Sequence, residues 1–433
     1  MLTIRGSERI LVDASTEDSG DLMLDDGSPH GTVLDASGCV VTPGLVNAHH
    51  HLLQCAFRTL PGTRGVPMAE WLPAMAAAYG RVGHDPDAYA VAASVGAAES
   101  LLCGVTTIAD HHLNWPHGVP IADTVALAGA TAEAVRSLGA RLVFVRGSAR
   151  DDPEWAGESA EAIVTALVPG AAGSGGLSPD GMLQLAVGPA GVHSDSRETF
   201  VTLGVVAARY GLRRRTQANE QVDTAIAVER YGRRPLQLLD EWGWLGPDVT
   251  VAHLCDVTPE EIGLLARAGV TATHAPGCDV PMGWGVAPVA ALLEAGVVVG
   301  LGTSGGGSND AGHLLADARL ALQISGLAGP QLPARVVLGM ATAGSASGLG
   351  RSDLGHLGAG SAGDLCVWDV SGAGDAGVHD PVAGLLWASP GRRPKHVVVG
   401  GRVVVRDYRL VTADEAELVA RLRERLTRTP PTV

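Results

Sequence analysis

His49 and His51 stand one residue apart at the end of an apolar run, Val41-Thr42-Pro43-Gly44-Leu45-Val46-Asn47-Ala48-His49-His50-His51. In a β-strand alternate side chains share a face, so these two imidazoles point one way and His50 the other. Two imidazoles at the C-terminal end of a strand can grip one metal ion from a rigid element. The plain alternative is a surface or hydrogen-bonded histidine run. Further polar residues follow other strand-like segments: Asp110-His111-His112, His193, Gln217 with Glu220, His253, His274 and Ser304.

The elements that must position these groups alternate along the chain. Strand-like runs at 41–48, 105–109, 141–145, 182–187, 212–217, 249–253, 270–274 and 297–301 are separated by helical stretches. Such alternation means a parallel sheet. It fits a doubly wound sheet as well as a (β/α)8 TIM barrel. The placement of polar residues at or just after most of the strands favours the barrel, whose strand ends converge on one mouth. Residues 1–42 and 355–410 contain short β pieces that can pair as one composite β-sandwich domain beside a barrel of residues 43–354. The remaining 411–433 reads as a helix and tail, with Pro430-Pro431 marking a frayed end. The expected class is therefore α/β, a distorted (β/α)8 barrel with a small composite β domain.

Composition removes whole classes of function. The 433 residues are 46% hydrophobic, which suits one large α/β domain plus a smaller one. Acidic residues outnumber basic ones 46 to 31, for a formal charge of −15, so neither nucleic acid nor an anionic membrane is an expected partner. Lys395 is the only lysine. No barrel strand can then offer a Schiff-base lysine, a P-loop lysine or a carbamylated lysine bridging two metals. For the same reason the glycine-rich stretches Gly170–Gly176 and Gly302–Gly307 are not phosphate loops. The six cysteines lack C-x-x-C spacing and read as reduced, mostly buried residues of a cytoplasmic protein. No signal peptide is visible, and no apolar run approaches the roughly 18 residues of a membrane span.

Several phrases, in order along nearly the whole chain, resemble the amidohydrolase superfamily. They are Thr42–His51, Gly104-Val105-Thr106-Thr107, Ala252-His253, His274-Ala275-Pro276, Gly302-Thr303-Ser304-Gly305, Ser308-Asn309-Asp310 and Gly358–Asp364. The branch they resemble most is the cytosine, guanine and 8-oxoguanine deaminase and s-triazine hydrolase group. The resemblance implies a distorted barrel with a flanking β domain, one Zn²⁺ or Fe²⁺ per subunit, a small-molecule substrate, and a homodimer or homotetramer. It also implies metal ligation by His49, His51 and His253. In that family a metal polarises a water, a strand-8 aspartate takes its proton, and a strand-5 glutamate passes one to the leaving nitrogen.

Two positions depart from the pattern. The family's strand-5 motif, histidine followed three residues later by glutamate, falls on Gln217 and Glu220, and its strand-8 aspartate on Ser304. Gln217 offers only an amide oxygen, and an unassisted Ser304 hydroxyl is no base near neutral pH. Three readings stay open. A three-histidine metal site hydrolyses a planar N-heterocycle (oxopurine, pyrimidine or triazine), with Glu220 as relay. Or the mouth, with no metal at all, runs acid/base chemistry of another kind. Or the chain is a non-catalytic relative that binds a ligand or partner.

Around this centre, His274 and Ser304 join Glu220 and His253 as candidate catalytic groups. Gln54 and Arg58 on the loop after the first strand are candidates to read ring carbonyls, and Trp71 to cover the pocket. His112 and His193 are candidates to contact substrate, as is Gln217. Asp279 and Trp284 are candidates to bracket a planar ring. Asp310 is expected to cap the helix starting near Gly312.

Overall fold

The computed structural model describes residues 1–24, 31–116, 118–170 and 172–428. The expected frayed end at Pro430-Pro431 lies outside these residues. The N-terminal strands are β1 (Leu2–Leu11), β2 (Glu17–Leu24), β3 (Thr32–Asp35) and β4 (Cys39–Pro43). The barrel strands are β5 (Leu45–His51), β6 (Val105–His112), β7 (Arg141–Ser148), β8 (Leu183–Pro189), β9 (Arg213–Ala218), β10 (Val249–His253), β11 (Thr271–His274), β12 (Val299–Leu301) and β13 (Ser304–Gly305). The chain returns to the first sheet with β14 (Leu365–Asp369), β15 (His396–Val399), β16 (Arg402–Arg406) and β17 (Arg409–Leu410).

Strands β5 to β12 run parallel in chain order, and β13 pairs with β5 through Ser304–His50 and Gly305–His51. That pairing closes the sheet on itself, giving the distorted (β/α)8 barrel. Helices between the strands begin at polar caps. Asp85, Ser196 and Thr258 accept backbone N–H groups of the first turn, and left-handed Gly211 and Gly269 end two of the helices. One end of the barrel is plugged by apolar packing. Val46, Ala109, Val143, Val145 and Ala186 meet Ala346, Leu349 and Leu354 there. Arg213 and Thr250 also donate to the Gly348 carbonyl at 3.1 and 2.7 Å. The histidines occupy the other end.

The N- and C-terminal strands share one sheet of order β17-β16-β15-β14-β4-β1-β2, with β3 on β1. Its core is Leu2, Ile4, Ile10, Leu34, Val41, Leu365, Val367 and Val398. A buried ion pair, Arg141 to Asp364 at 2.9 Å, ties it to the barrel.

The expected first strand, 41–48, is in fact two. Its first part, β4, belongs to the small sheet, and β5 starts the barrel. The break falls at Gly44, whose position admits no side chain: a Cβ there would sit 2.3 Å from Thr106 Oγ1. The C-terminal helix, Glu415–Arg428, packs Leu418, Leu422 and Leu426 on the body of the protein. All six cysteines are free, and five are buried. Among the described residues no helix is long and apolar enough to cross a membrane.

Candidate active site

Strand β5 delivers His49 and His51 to one side, their ring centroids 4.8 Å apart. His50 points away and sets its Nδ1 2.6 Å from the Ser304 carbonyl, part of the β5–β13 seam. The His51 Nδ1–H donates to the His111 carbonyl at 2.7 Å, which leaves Nε2 as the basic nitrogen. His49 Nε2 is buried with no hydrogen-bond partner among the described residues. His253, from the end of β10, stands 5.2 Å from His49 ring to ring.

His253 is held on both sides. Its Nδ1 lies 2.6 Å from Asp279 Oδ1, and its Nε2 lies 3.0 Å from Gln217 Oε1 and 3.6 Å from Glu220 Oε1. Burial opposes a charge on this imidazole, but the Asp279 carboxylate and then Glu220 outweigh it and raise its pKa. With Nδ1–H given to Asp279, the Nε2 lone pair would face two oxygen acceptors. A proton on His253 or on Glu220, a turned Gln217 amide, or a cation among these atoms would each resolve the conflict. The Glu220 carboxyl is buried with Oε2 unpartnered among the described residues, and burial pushes its pKa up to about 8. The donor set therefore fits a metal ion: three imidazoles, two fixed through their far nitrogens, with an orphaned nitrogen on the third.

The nitrogens of the three imidazoles do not all lie within 4.8 Å of one another, whereas the ligand atoms of His253, Cys278 and Asp279 do. That trio is a poorer cation site. Asp279 already accepts from His253, and burial pushes the Cys278 thiol up, keeping it protonated.

The remaining candidates divide. His274 is buried with Nδ1 3.7 Å from Asp279 Oδ2, and burial lowers its pKa to about 4. The Trp284 ring stands edge-on to His253 at 5.1 Å. His193 is half-buried, and its Nδ1 is enclosed with no hydrogen-bond partner among the described residues. Ser304 is buried at φ 56°, with its Oγ 3.4 Å from Ser308 Oγ. Asn219, Gln221, His253 and Leu254 share that left-handed backbone, at φ from 58° to 77°. Strain of this kind gathers at functional sites.

Four residues expected near substrate have their polar groups engaged elsewhere. Gln54 Oε1 accepts from Gly307 N at 3.0 Å, and the Trp71 indole donates to the Gly307 carbonyl at 3.1 Å. Arg58 makes a two-pronged pair with Glu99. The loop after β5 thus clamps the loop after β13. Asp310 belongs to the same clamp, accepting from Thr59 N and pairing with Arg64. It caps no helix: His313 caps Leu314–Ile324 instead. His112 packs between Trp115 and Phe144, with Nε2 3.2 Å from the Asn114 carbonyl. Its neighbour His111 is the one that faces the cluster, 5.7 Å from His49. Strand parity carries the signal: His111 shares a face with Ala109, which lines the barrel interior.

The amidohydrolase family profile matches residues 40–404. The chain belongs to the amidohydrolase family. This amidohydrolase is 33% identical over 443 aligned residues to 8-oxoguanine deaminase of Pseudomonas aeruginosa, covering 97% of each chain. It is 31% identical to an isoxanthopterin deaminase from an unknown prokaryotic organism, covering 88% of this chain and 83% of the other. Among solved structures it is similar to a variant of atrazine chlorohydrolase TrzN from Arthrobacter aurescens TC1, complexed with zinc and atraton. The TM-score is 0.90 at 34% identity, covering 98% of this chain and 100% of that one. As a member of this family with such relatives, the amidohydrolase is an enzyme, a hydrolase of the aminohydrolase type that acts on C–N bonds.

Proposed function

We propose that this amidohydrolase hydrolyses the bond between a planar nitrogen heterocycle and an exocyclic leaving group, in the first instance an amino group. The site would comprise a metal ion held by His49, His51 and His253, with Glu220 as proton relay. The proteins it is similar to are named for 8-oxoguanine, isoxanthopterin and atrazine, and all three are planar nitrogen heterocycles. One observation carries the reading. The His49 and His253 rings stand 5.2 Å apart, Glu220 Oε1 lies 3.6 Å from His253 Nε2, and His49 Nε2 and Glu220 Oε2 are buried with no protein partner among the described residues.

A bound zinc or iron would lower the pKa of an attacking water towards ~7. The protein's own groups supply the rest. Glu220, whose carboxyl holds a proton near neutral pH, gives that proton to a ring nitrogen of the heterocycle, and the carboxylate so formed takes the proton of the attacking water and passes it to the leaving group. Asp279 fixes the His253 ring, and Trp284 closes the wall beside it. Ser304 leaves the strand-8 position without a carboxylate, so protonation of the departing amino group falls to Glu220.

The test is metal content of protein purified without chelator, together with turnover of a panel of aminated purines, pterins, pyrimidines and triazines. About one zinc or iron per chain is expected, lost in His49→Ala. Glu220→Gln should lower kcat by about 10²–10⁴. Full activity with no metal would sink this reading in favour of metal-free acid/base chemistry, and no turnover across the panel would favour a binding role.

A further inference from the structure

Arg215 on β9 is fully enclosed, yet no carboxylate pairs with it among the described residues. It lies two residues before Gln217, so the two side chains share the inward face of the strand. Its Nη2 donates to the carbonyl of Ala48, the residue before His49, and its Nη1 has no partner among the described residues. In the closed sheet β9 and β5 are separated by β6, β7 and β8 on one side and by β10, β11 and β12 with β13 on the other. They face each other across the barrel, and the guanidinium therefore spans its axis. Small residues make room for it: Ala109 and Ala186 line the interior, and Gly188 lies against the Arg215 backbone, where a Cβ would fall 2.1 Å from its carbonyl oxygen.

Leaving a buried cation uncompensated is costly, and a strut could be built without charge. What the charge does follows from where it is. It bonds the Ala48 carbonyl, one residue before His49. The site above it has Ser304 and Gln217 where its relatives' pattern has charged or basic ligands.

We propose that Arg215 is a positioning residue of the site: its guanidinium fixes the Ala48–His49 peptide from across the barrel and holds a permanent positive charge beneath the histidines. This rests on the metal-dependent reading above. A fixed positive charge there stabilises negative charge developing on the attacking oxygen, in place of assistance from a strand-8 carboxylate. The same charge must weaken the hold on any metal cation, and this gives the test its sign.

The experiment compares wild type, Arg215→Gln and Arg215→Lys, each shown to be folded by circular dichroism, in zinc titrations against a competing chelator. Glutamine keeps a donor but loses the charge, and zinc should bind about tenfold tighter or more. Lysine keeps the charge and should stay within about threefold of wild type. On any heterocycle the wild type turns over, Arg215→Gln should lose kcat by about tenfold or more at nearly constant KM, with lysine restoring most of it. Mere loss of a structural strut would loosen zinc instead. Unchanged or weaker zinc binding in Arg215→Gln therefore overturns the proposal while leaving the metal site standing. A wild type that binds no zinc overturns the metal-dependent reading itself, and this inference with it.

Discussion

His253 Nδ1 lies 2.6 Å from Asp279 Oδ1, and both side chains are completely enclosed. The carboxylate reaches the ring from a short turn of helix, Pro276–Asp279, that follows β11 directly. It fixes which nitrogen of His253 carries the proton and which faces Gln217 and Glu220. Outer partners of this kind typically contribute 10–100-fold to metal affinity. Asp279→Asn should weaken zinc binding by about that factor in a chelator competition. Wild-type affinity in the variant would remove Asp279 from the positioning of the site.

Gln54 tests the clamp between the two loops. Its Oε1 serves the buried Gly307 N–H. Gln54→Leu strands that donor, at a cost of about 1–3 kcal/mol. The expected result is a lower thermal midpoint. A side chain that reads a substrate carbonyl would instead raise KM at unchanged stability, and the two measurements separate the roles.

Gly44 is the hinge between the two sheets. Gly44→Ala places a methyl 2.3 Å from Thr106 Oγ1 and 2.5 Å from its Cγ2. Overpacking of this kind costs about 1–3 kcal/mol. Chemical denaturation should show the loss, and adding Thr106→Ala should recover part of it. If Gly44→Ala is as stable as wild type, the strands can slide apart freely there.

Asp317 gives the fold a pH dependence. Burial pushes its carboxyl up to about 8, against hydrogen bonds from Asn309 and the Gly277 amide. Its ordinary value is 3.8, so between that pH and about 8 the folded chain holds a proton that the unfolded chain has released. This group's stabilising contribution is complete below 3.8 and is lost as pH rises through about 8. The thermal midpoint of wild type should therefore fall more steeply from pH 5 to pH 9 than that of Asp317→Asn. Parallel curves for the two proteins would refute the assignment.

The barrel was readable from local pattern, and so were the residues proposed for the centre of its candidate site. Alternating apolar runs and helical stretches set the (β/α)8 order, and polar residues gathered where strands end. The residues that could be ranked only by type fared differently. His111 and His112 are chemically identical neighbours, and only the register of β6 says which faces in. Gln54, Arg58 and Trp71 have side chains suited to a ligand, but each met a partner from a distant part of the chain first.

By itself the sequence determined the chemistry available: two histidines on one strand face, a third at His253, a glutamate at Glu220, and no carboxylate at Ser304 or imidazole at Gln217. Those facts follow from residue identity and the two-residue period of a strand, which are local. Only the tertiary structure decided how the groups act on one another. It brought Asp279 against His253, split the first strand at Gly44, and sent Arg215 across the barrel to the peptide before His49. Each of these depends on closing the sheet, which brings strands far apart in sequence face to face.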